Sequence, residues 1–365
     1  MNNKKNLSKI EIKGWQSWSP AYPTKIKIPI RNFSPFAKAD SAYLTKIKIK
    51  LKPAPTGWCS WYAFGQNINS NIIINQAEWI AKNKNLLPLD YVIIDEGWTS
   101  RGDWLKPNLS KFPQGMKILA QKIKKLGLKP GLWISPFLVS SNSIFAQKHA
   151  DWLIKNKDGS FLDGNKLIPI DNLLPRKNWV LNLGLKDVQD YLVNVIDTLI
   201  NDWGYQLLKL DFLYAQHFNP DFSDAEFPDK LLADFLKRIK KTYPRVYFIA
   251  CGCPLAPALG STDAMRISED IVIPYLRNIP ILNSFIHKKT LGQLEQNLKL
   301  RKETKKFWQL DPDVFICDRS YGLNESQIYR LLNLIKEADG LKFLGDDLVN
   351  LDTKLIKKYI LKLFS

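Results

Sequence analysis

The stretch Leu207-Leu208-Lys209-Leu210-Asp211-Phe212-Leu213 decides the fold class of this chain of 365 residues. It is apolar at almost every position, which is typical of a parallel strand covered on both faces of its sheet. It also carries two charged residues, and because side chains alternate along a strand, Lys209 and Asp211 point to the same side. Apolar residues recur with helical spacing over residues 186–203, directly before it. A helix followed by a buried strand is the repeating unit of an α/β fold.

The same alternation of short apolar runs and amphipathic segments continues from residue 57 onward. The predicted strands are Trp58–Phe64, Tyr91–Ile94, Gly131–Pro136, Leu207–Leu213, Val246–Ala250, Met265–Ser268, Val314–Cys317 and Leu341–Leu344. The predicted helices lie near 72–86, 115–126, 144–155, 186–203, 228–242, 291–307, 325–338 and 351–364. Eight strands with a matching number of helices predict a TIM-type (β/α)8 barrel over residues 53–365. The long polar connection 271–290 is typical of a functional loop.

Residues 1–52 lack the barrel pattern and predict a short β-rich extension and linker. Alternating lysine and isoleucine at 25–28 and 46–50 predicts two edge strands, and Pro53-Ala54-Pro55 predicts a stiff linker. The basic N-terminus is not followed by an apolar segment, so no secretory signal is expected. No run reaches the roughly 18 apolar residues of a membrane helix, so no membrane partner is expected. Four scattered cysteines do not make a disulfide framework, and a cytoplasmic location is predicted.

The formal net charge of +18 raises the hypothesis of nucleic-acid binding, because a basic face is the footprint of phosphate recognition. The lysines recur at helical positions between apolar residues, as at 122, 124 and 125, which favours a solvated surface instead. No RNA-binding signature is present in the sequence. We therefore predict no specific nucleic-acid partner.

Acidic residues end five of the eight predicted strands. They are Asp95, Glu96, Asp211, Glu269, Asp270, Asp311, Asp313, Asp346 and Asp347. In a (β/α)8 barrel the active site lies at the C-terminal ends of the strands, so these side chains converge on one mouth. This clustering predicts a functional site there.

Two of these carboxylates have surroundings that suit nucleophilic and acid–base chemistry. Lys209 is two residues from Asp211, and a neighbouring cation lowers the pKa of a carboxylate and keeps it ionised, as a nucleophile requires. A structural Lys209–Asp211 ion pair is the alternative. Asp270 lies on the same side of its strand as Arg266, whereas Glu269, its rival, faces away if the strand is regular. A retaining glycosidase needs two carboxylates roughly 5–5.5 Å apart.

Aromatic residues lie close to the same strand ends. They are Trp58, Trp61, Tyr62, Trp98, Trp104 and Trp133. Sugars present apolar C–H faces that stack on aromatic rings, so aromatics beside carboxylates favour a carbohydrate pocket. Ordinary core packing is the alternative, above all for Trp58 and Trp61.

No metal and no cofactor is predicted. Cys251 and Cys253 are close in sequence, but none of the three histidines lies at metal-ligand spacing from them. The sequence contains no Gly-rich phosphate loop and no Gly-x-Ser-x-Gly elbow, which argues against nucleotide and acyl-transfer chemistry.

Taken in order, these motifs resemble glycoside hydrolase family 36, the α-galactosidase and raffinose-synthase family of the melibiase superfamily. The matching segments are Gly14–Pro20, Gly57–Trp61, Asp95–Trp98, Gly102–Trp104, Lys111–Met116, Lys129–Trp133, Lys209–Asp211, Asp263–Asp270 and Trp308–Asp313. The resemblance implies a TIM barrel that hydrolyses α-galactosides, with Asp211 as the nucleophile and Asp270 as the acid/base. It implies no metal and no cofactor.

The expected substrate-binding residues are Asp95, Glu96, Trp98, Trp133, Lys209, Cys253 and Arg266. The resemblance assigns Asp95 and Glu96 to the hydroxyls that distinguish galactose and Lys209 to a ring hydroxyl, and it places the last cysteine and the arginine in the pocket lining. Trp98 and Trp133 are expected there because they lie near the strand ends. Glu96 departs from the family pattern, which usually has a second Asp, and its extra methylene shifts the expected hydroxyl contacts.

The family's flanking β-domains are reduced here, the N-terminal one to residues 1–52. We expect a retaining α-galactosidase that acts on terminal α-galactosides of oligosaccharides or other glycosides. One alternative is a transglycosylase of the raffinose-synthase kind, in which a sugar hydroxyl replaces water. The other is a non-catalytic barrel that binds carbohydrate or polyanions. No oligomeric state is predicted.

Overall fold

The computed structural model describes residues 18–19, 48–164, 177–221, 226–274 and 280–365. Its main sheet consists of parallel strands, and all four residues of the strand at Leu207–Leu210 are buried. Numbered in chain order, the strands are β1 (Thr56–Cys59), β2 (Tyr91–Ile94), β3 (Lys129–Ile134), β4 (Leu207–Leu210), β5 (Tyr247–Ala250), β6 (Ala264–Arg266), β7 (Gln309–Asp311 and Val314–Phe315) and β8 (Lys342–Leu344).

The seventh strand closes this sheet into a barrel. Its first half pairs with β6, where Leu310 lies opposite Met265, and its second half pairs with β8, where Val314 lies opposite Phe343. The other neighbours follow the order β6–β5–β4–β3–β2–β1–β8. Because the two edges of the sheet belong to the single segment 309–315, the sheet closes on itself. The predicted TIM-type (β/α)8 fold is confirmed.

Helices cover the outside of the sheet. The α-helices are Trp61–Phe64, Ser70–Lys82, Gly115–Lys125, Ile144–Lys148, Lys186–Asp197, Glu226–Thr242, Pro280–Arg301, Glu325–Ala338, Thr353–Leu355 and Leu361–Phe364, with π-helical turns at Thr198–Asp202 and Ile356–Ile360. Helix Lys186–Asp197 buries Val188, Leu192, Val195 and Ile196, which are positions that its periodicity predicts. Among the described residues, no helix has the length and apolar character needed to cross a bilayer.

Five predicted strands were too long at their C-terminal ends, and two of them by three residues or more. The strand predicted to reach Phe64 ends at Cys59 and is followed by the short helix Trp61–Phe64. The strand predicted to reach Leu213 ends at Leu210, and Phe212 adopts a left-handed φ of 54°. In both places the chain must turn from the barrel axis toward an outer helix, and the apolar residues after the turn pack over the mouth. Periodicity alone does not mark where that turn begins.

Two connections also differ from the predicted repeat. The helix predicted over 144–155 is confined to Ile144–Lys148 and the 3-10 turn Ala150–Trp152, inside an insertion between β3 and its outer helix. This insertion contains an antiparallel strand pair formed by Leu138–Ser140 and Asn178–Val180. Across the fully described residues 251–263, β5 and β6 are joined without an α-helix.

The chain contacts the barrel at both ends before β1 begins. Trp18–Ser19 pairs with Cys253–Pro254, just after β5, at the mouth. At the opposite end, Lys52 Nζ donates a hydrogen bond to the Val246 carbonyl at 2.6 Å. Lys52 therefore helps to fix the start of the barrel domain against the N-terminal end of β5.

The predicted N-terminal strands are largely outside the described residues. The strand predicted at 25–28 lies wholly outside them, and of 46–50 only 48–50 are described, where no strand forms. The division into 1–52 and 53–365 stays a prediction.

Candidate functional site

Asp95 and Lys209 join the ends of β2 and β4 at the barrel mouth. Lys209 Nζ lies 2.7 Å from Asp95 Oδ2, and both side chains are buried. The Cys59 thiol and the Glu96 N–H also donate to the Asp95 carboxylate, at 3.3 and 2.8 Å. Burial lowers the pKa of Lys209, but the charge of Asp95, together with Cys59 and Cys251, raises the pKa of Lys209 well above its usual value.

Asp211 follows β4 directly, and two donors orient its carboxylate. Trp133 Nε1 donates to Oδ2 at 2.9 Å, and the Phe212 N–H donates to Oδ1 at 2.8 Å. Burial raises the pKa of Asp211, and the charge of Asp270 adds to that rise, whereas Lys209 and the two donors lower it. The net direction is upward. The expectation that Lys209 lowers the pKa of Asp211 was therefore wrong in its net effect, because burial prevails and Lys209 pairs with the carboxylate on β2 instead.

Glu96 is held by an arginine that the sequence analysis did not single out. Arg101 Nε and Nη2 donate to the two Glu96 oxygens at 3.0 and 2.9 Å, and both side chains are buried. The guanidinium also lies 4.9 Å from the centre of the Phe212 ring and 5.7 Å from that of Trp133. Both carboxylate oxygens of Glu96 are thus engaged within the protein. An arginine in the loop after an acidic strand end was the signal that could have indicated this pair.

Asp270 is the more exposed carboxylate of the proposed pair, with 44% of its side chain accessible to solvent. Trp61 Nε1 donates to its Oδ2 at 3.1 Å, and Arg266 Nη1 donates to Oδ1 at 3.2 Å. The Tyr62 hydroxyl lies 3.2 Å from the same Oδ1. The negative charge of Asp270 contributes to the rise in the pKa of Asp211, so the two carboxylates lie close enough to interact electrostatically.

Glu269, the rival of Asp270, has a different environment. It is half-buried, and burial raises its pKa while the charge of Lys289 lowers it. Trp61 and Arg266 donate hydrogen bonds to Asp270 and not to Glu269. The geometry therefore supports Asp270 as the second carboxylate.

Arg266 is the centre of a buried charge cluster between β6 and β7. Besides Asp270, it donates to Asp311 Oδ2 through Nε at 3.1 Å and to Asp313 Oδ1 through Nη2 at 2.8 Å. Asp313 is 1% exposed and adopts a φ of 81°, which is rare for a residue with a side chain. It also contacts the Tyr62 hydroxyl. The sequence analysis noted the Asp-Pro-Asp motif but gave Asp311 and Asp313 no role.

All seven expected substrate-binding residues are buried, including Trp98, Trp133 and Cys253. Trp98 is 1% exposed and donates to the Trp133 carbonyl at 3.0 Å, so it supports Trp133 from below. Trp133 is itself buried, but its indole N–H reaches Asp211. Cys253 is fully buried and its thiol lies 3.2 Å from the Pro254 carbonyl. At the mouth, Asp95, Glu96, Trp133, Lys209 and Arg266 each contact a charged side chain, which is Asp211 for Trp133, whereas Trp98 and Cys253 bond only to the backbone carbonyls of Trp133 and Pro254 in the contacts described.

Asp346, which follows β8, is a buried carboxylate that links two strand ends. It accepts hydrogen bonds from the backbone N–H groups of Cys317 at 3.0 Å and Asp318 at 2.9 Å. Burial raises the pKa of Asp346 to about 7, although these N–H groups lower it.

We expect Asp346→Asn to gain stability over the wild type as the pH rises from 5 to 8. The folded pKa of about 7 exceeds that of an unfolded aspartate, so the stabilising proton is lost as the pH rises through 7. The Asn side chain does not ionise, so the free energy of unfolding of the variant, relative to that of the wild type, should rise by on the order of 2 kcal/mol over this pH range. Urea unfolding at both pH values measures this, with the exposed Asp187→Asn as control. A stability difference between the variant and the wild type that does not change with pH would contradict the raised pKa of Asp346.

A polar cavity of about 430 Å³ opens beside Arg101. The loop 97–111 after β2 forms most of its wall, and Gln66, Ser140 and Ile144 complete it. The carboxylates at the ends of β4 and β6 do not line it, so it is separate from the space between them. Arg101 connects the two regions because it also holds Glu96.

The comparison with protein families agrees with this geometry. A family model described as Melibiase matches residues 39–254, which is more than half of the chain. The chain belongs to the melibiase family. The residues that match the family model include Asp95 and Asp211, at the ends of β2 and β4.

Curated relatives of this melibiase-family chain are named as α-galactosidases. Probable alpha-galactosidase C of Aspergillus flavus is 28% identical over 200 residues, covering 50% of this chain and 24% of the relative. Alpha-galactosidase AgaA of Geobacillus stearothermophilus is 27% identical over 210 residues, covering 53% and 26%. The aligned part of the chain thus spans about a quarter of the length of these relatives. The resemblance to glycoside hydrolase family 36 is confirmed.

Solved structures share the fold over most of the chain. TtGalA, an α-galactosidase of Thermus thermophilus in complex with p-nitrophenyl α-D-galactopyranoside, superposes with a TM-score of 0.72 at 25% identity, covering 91% of this chain and 65% of that one. The glycoside hydrolase family 36 α-galactosidase AgaA superposes with a TM-score of 0.62 at 20% identity, covering 86% and 42%. The second likeness concerns the fold alone.

Proposed function

We propose that this melibiase-family chain is a retaining α-galactosidase that hydrolyses terminal α-galactosides of oligosaccharides. The observation that carries the proposal is the Asp211 carboxylate at the end of β4, which Trp133 and Phe212 orient and with which the Asp270 charge interacts. The named α-galactosidase relatives, and the TtGalA complexes with an aryl α-galactoside and with stachyose, support this substrate class.

Asp211 is suited to act as the nucleophile. Its two donors fix the carboxylate in one orientation, and they and the charge of Lys209 support its ionised form against the cost of burial. A poorly solvated carboxylate is also more reactive toward an anomeric carbon than a hydrated one. It forms the covalent glycosyl-enzyme, and water then releases the sugar with its α-configuration retained.

Asp270 is suited to act as the acid and then the base. It is open to solvent in the free protein, so a leaving group can reach it from the mouth. A sugar bound over Asp270 removes its water, and desolvation favours the protonated form that donates to the glycosidic oxygen.

The sugar-binding part of the proposal concerns Asp95 and Glu96. The Lys209–Asp95 pair presents a cation and a carboxylate side by side, which suits adjacent sugar hydroxyls. Glu96 is tied to Arg101 through both oxygens, and these can accept further hydroxyl protons only through their remaining lone pairs. All four cysteines are buried free thiols, which fits the predicted cytoplasmic location. We propose that no metal or cofactor takes part.

The protein should hydrolyse p-nitrophenyl α-galactoside in preference to the α-glucoside, the α-mannoside and the β-galactoside. Proton NMR during early turnover should show α-galactose before mutarotation, because two displacements retain the configuration. Activity on a different α-glycoside only would move the specificity away from galactose, with Glu96 as the first residue to examine. Inactivity on the whole panel, with or without sugar acceptors, would overturn the proposal.

A further inference from the structure

The Tyr62 hydroxyl lies between Asp270 and the buried Asp313. It is 3.2 Å from Asp270 Oδ1 and in closer contact with Asp313 Oδ1. Tyr62 is 1% exposed and belongs to the short helix after β1, so its ring is fixed by the core. One phenol thus bridges an exposed carboxylate at the mouth and a carboxylate that solvent does not reach.

The number of protons in this bridge follows from its geometry. Each hydrogen bond between two oxygens needs one proton, so two such contacts need two protons. The phenol of Tyr62 supplies one, and ionised carboxylates supply none. The second proton therefore belongs to a carboxyl group, either Asp313 or Asp270. Only these two arrangements satisfy both contacts, and they differ by the shift of each proton from one oxygen to the next.

We propose that Tyr62 passes a proton between Asp313 and Asp270, so that Asp313 is the internal proton store of the acid/base. The proposal rests on the proposed glycosidase function. Asp313 and Tyr62 are positioning residues, because they act through Asp270 and do not touch the substrate.

The surroundings of Asp313 fit a group that holds and releases a proton. Burial raises its pKa to about 7; Arg266 lowers it, and the charges of Asp270 and Asp311 raise it. When Asp313 is ionised, Arg266 and the Ile271 N–H still donate to its carboxylate, at 2.8 Å each. Both charge states therefore have partners.

The surroundings of Tyr62 also fit a group that passes a proton between the two carboxylates. Burial raises the pKa of Tyr62 well above its usual value, with further increases from Asp270, Asp313 and Cys59 against the effect of Arg266, so the phenol stays protonated except in passing. Asp313 adopts its positive φ at the break in β7, where its carboxylate contacts the Tyr62 hydroxyl.

The proton steps balance as follows. When Asp211 attacks the anomeric carbon, the glycosidic C–O bond breaks and its electron pair stays on the leaving oxygen, which takes a proton from Asp270. Asp270 receives that proton in the same step, because it takes the phenolic proton of Tyr62 while Tyr62 takes the proton of Asp313, so Asp270 and Asp313 are both ionised once the glycosyl-enzyme has formed. In the second step water attacks, the Asp211–carbon bond breaks with its electrons returning to Asp211, and the water proton moves to Asp270 and back through Tyr62 to Asp313.

The test compares Tyr62→Phe and Asp313→Asn with the wild type on two galactosides. Cleavage of methyl α-galactoside needs a proton, whereas dinitrophenyl α-galactoside has a leaving group that departs without one. We expect kcat/KM for the methyl substrate to fall about 100-fold in Tyr62→Phe and less than tenfold for the dinitrophenyl substrate. The alkaline limb of the pH profile for the methyl substrate should move down by about one pH unit or more. Tyr205→Phe, which removes another buried hydroxyl hydrogen-bonded at 3.2 Å, is the matched control and should change neither quantity.

Equal losses on both substrates, or an unmoved alkaline limb, would overturn the proton store. A wild type that cleaves neither substrate would defeat the proposed function instead. In that case infrared spectroscopy still tests whether Asp313 holds a proton. The spectra are recorded on the Asp346→Asn variant, because this substitution removes another buried carboxyl group with a pKa of about 7. A protonated-carboxyl band at pH 6 that disappears in Asp313→Asn supports the stored proton, and its absence refutes it.

Discussion

Replacing Asp211 with Asn should lower kcat/KM for p-nitrophenyl α-galactoside by about four orders of magnitude or more. An amide has nearly the shape of the carboxylate and can keep one of the hydrogen bonds from Trp133 and Phe212, but it does not form a glycosyl ester. Because burial disfavours the charge of Asp211, the variant should be as stable as the wild type or more so. A thermal scan of both proteins separates lost chemistry from lost folding.

Chemical rescue tests the role of Asp211 further. In Asp211→Ala, azide can enter the vacated space and attack the anomeric carbon of an aryl α-galactoside, which yields a β-galactosyl azide because only one displacement occurs. The exposed Asp187→Asn is the control and should keep full activity. Residual activity of Asp211→Asn above about 10% of the wild type would remove Asp211 from the nucleophile role.

Replacing Arg266 with Met should destabilise the protein by about 3–5 kcal/mol at pH 8. The change leaves the buried carboxylates of Asp311 and Asp313 next to each other without the cation that lies 3.1 and 2.8 Å from them. The loss should become smaller toward pH 5, because burial raises the pKa of Asp313 and its protonation removes part of the unpaired charge. Urea unfolding at the two pH values measures both the size and the pH dependence.

Arg238 offers a matched control for Arg266. It forms an exposed ion pair with Asp190 at 3.0 Å, and Arg238→Met should change the free energy of unfolding by less than about 1 kcal/mol. Equal effects of the two substitutions would show that the cluster around Arg266 is not the buried charge network that its distances indicate.

The site was partly predictable because its residues follow strands. Parallel strands bring their C-terminal ends together, so Asp95, Asp211 and Asp270 could be placed at one mouth from their positions in the sequence. Side-chain alternation put Lys209 on the side of Asp211 but did not show which carboxylate it binds. That partner is set by the distance between β2 and β4, where Lys209 Nζ reaches Asp95 at 2.7 Å.

Residues on turns were not predictable in the same way. Tyr62 was expected on the first strand, but the chain turns after Cys59 and carries it over the mouth to Asp270 and Asp313. Arg101 acts from the loop after β2, where no periodicity marks its direction. The direction of a loop side chain depends on the dihedral angles of the turn and on packing from distant segments.

The sequence by itself determined the barrel, the order of its strands and the carboxylates at their ends, because apolar periodicity and chain order are local properties. Only the tertiary structure decided how the charges are paired: Lys209 with Asp95, Glu96 with Arg101, and Arg266 with three aspartates. It also decided that burial raises the pKa of Asp211. Charge pairing and desolvation depend on distances and solvent access between residues far apart in the chain, and these quantities exist only once the barrel has closed.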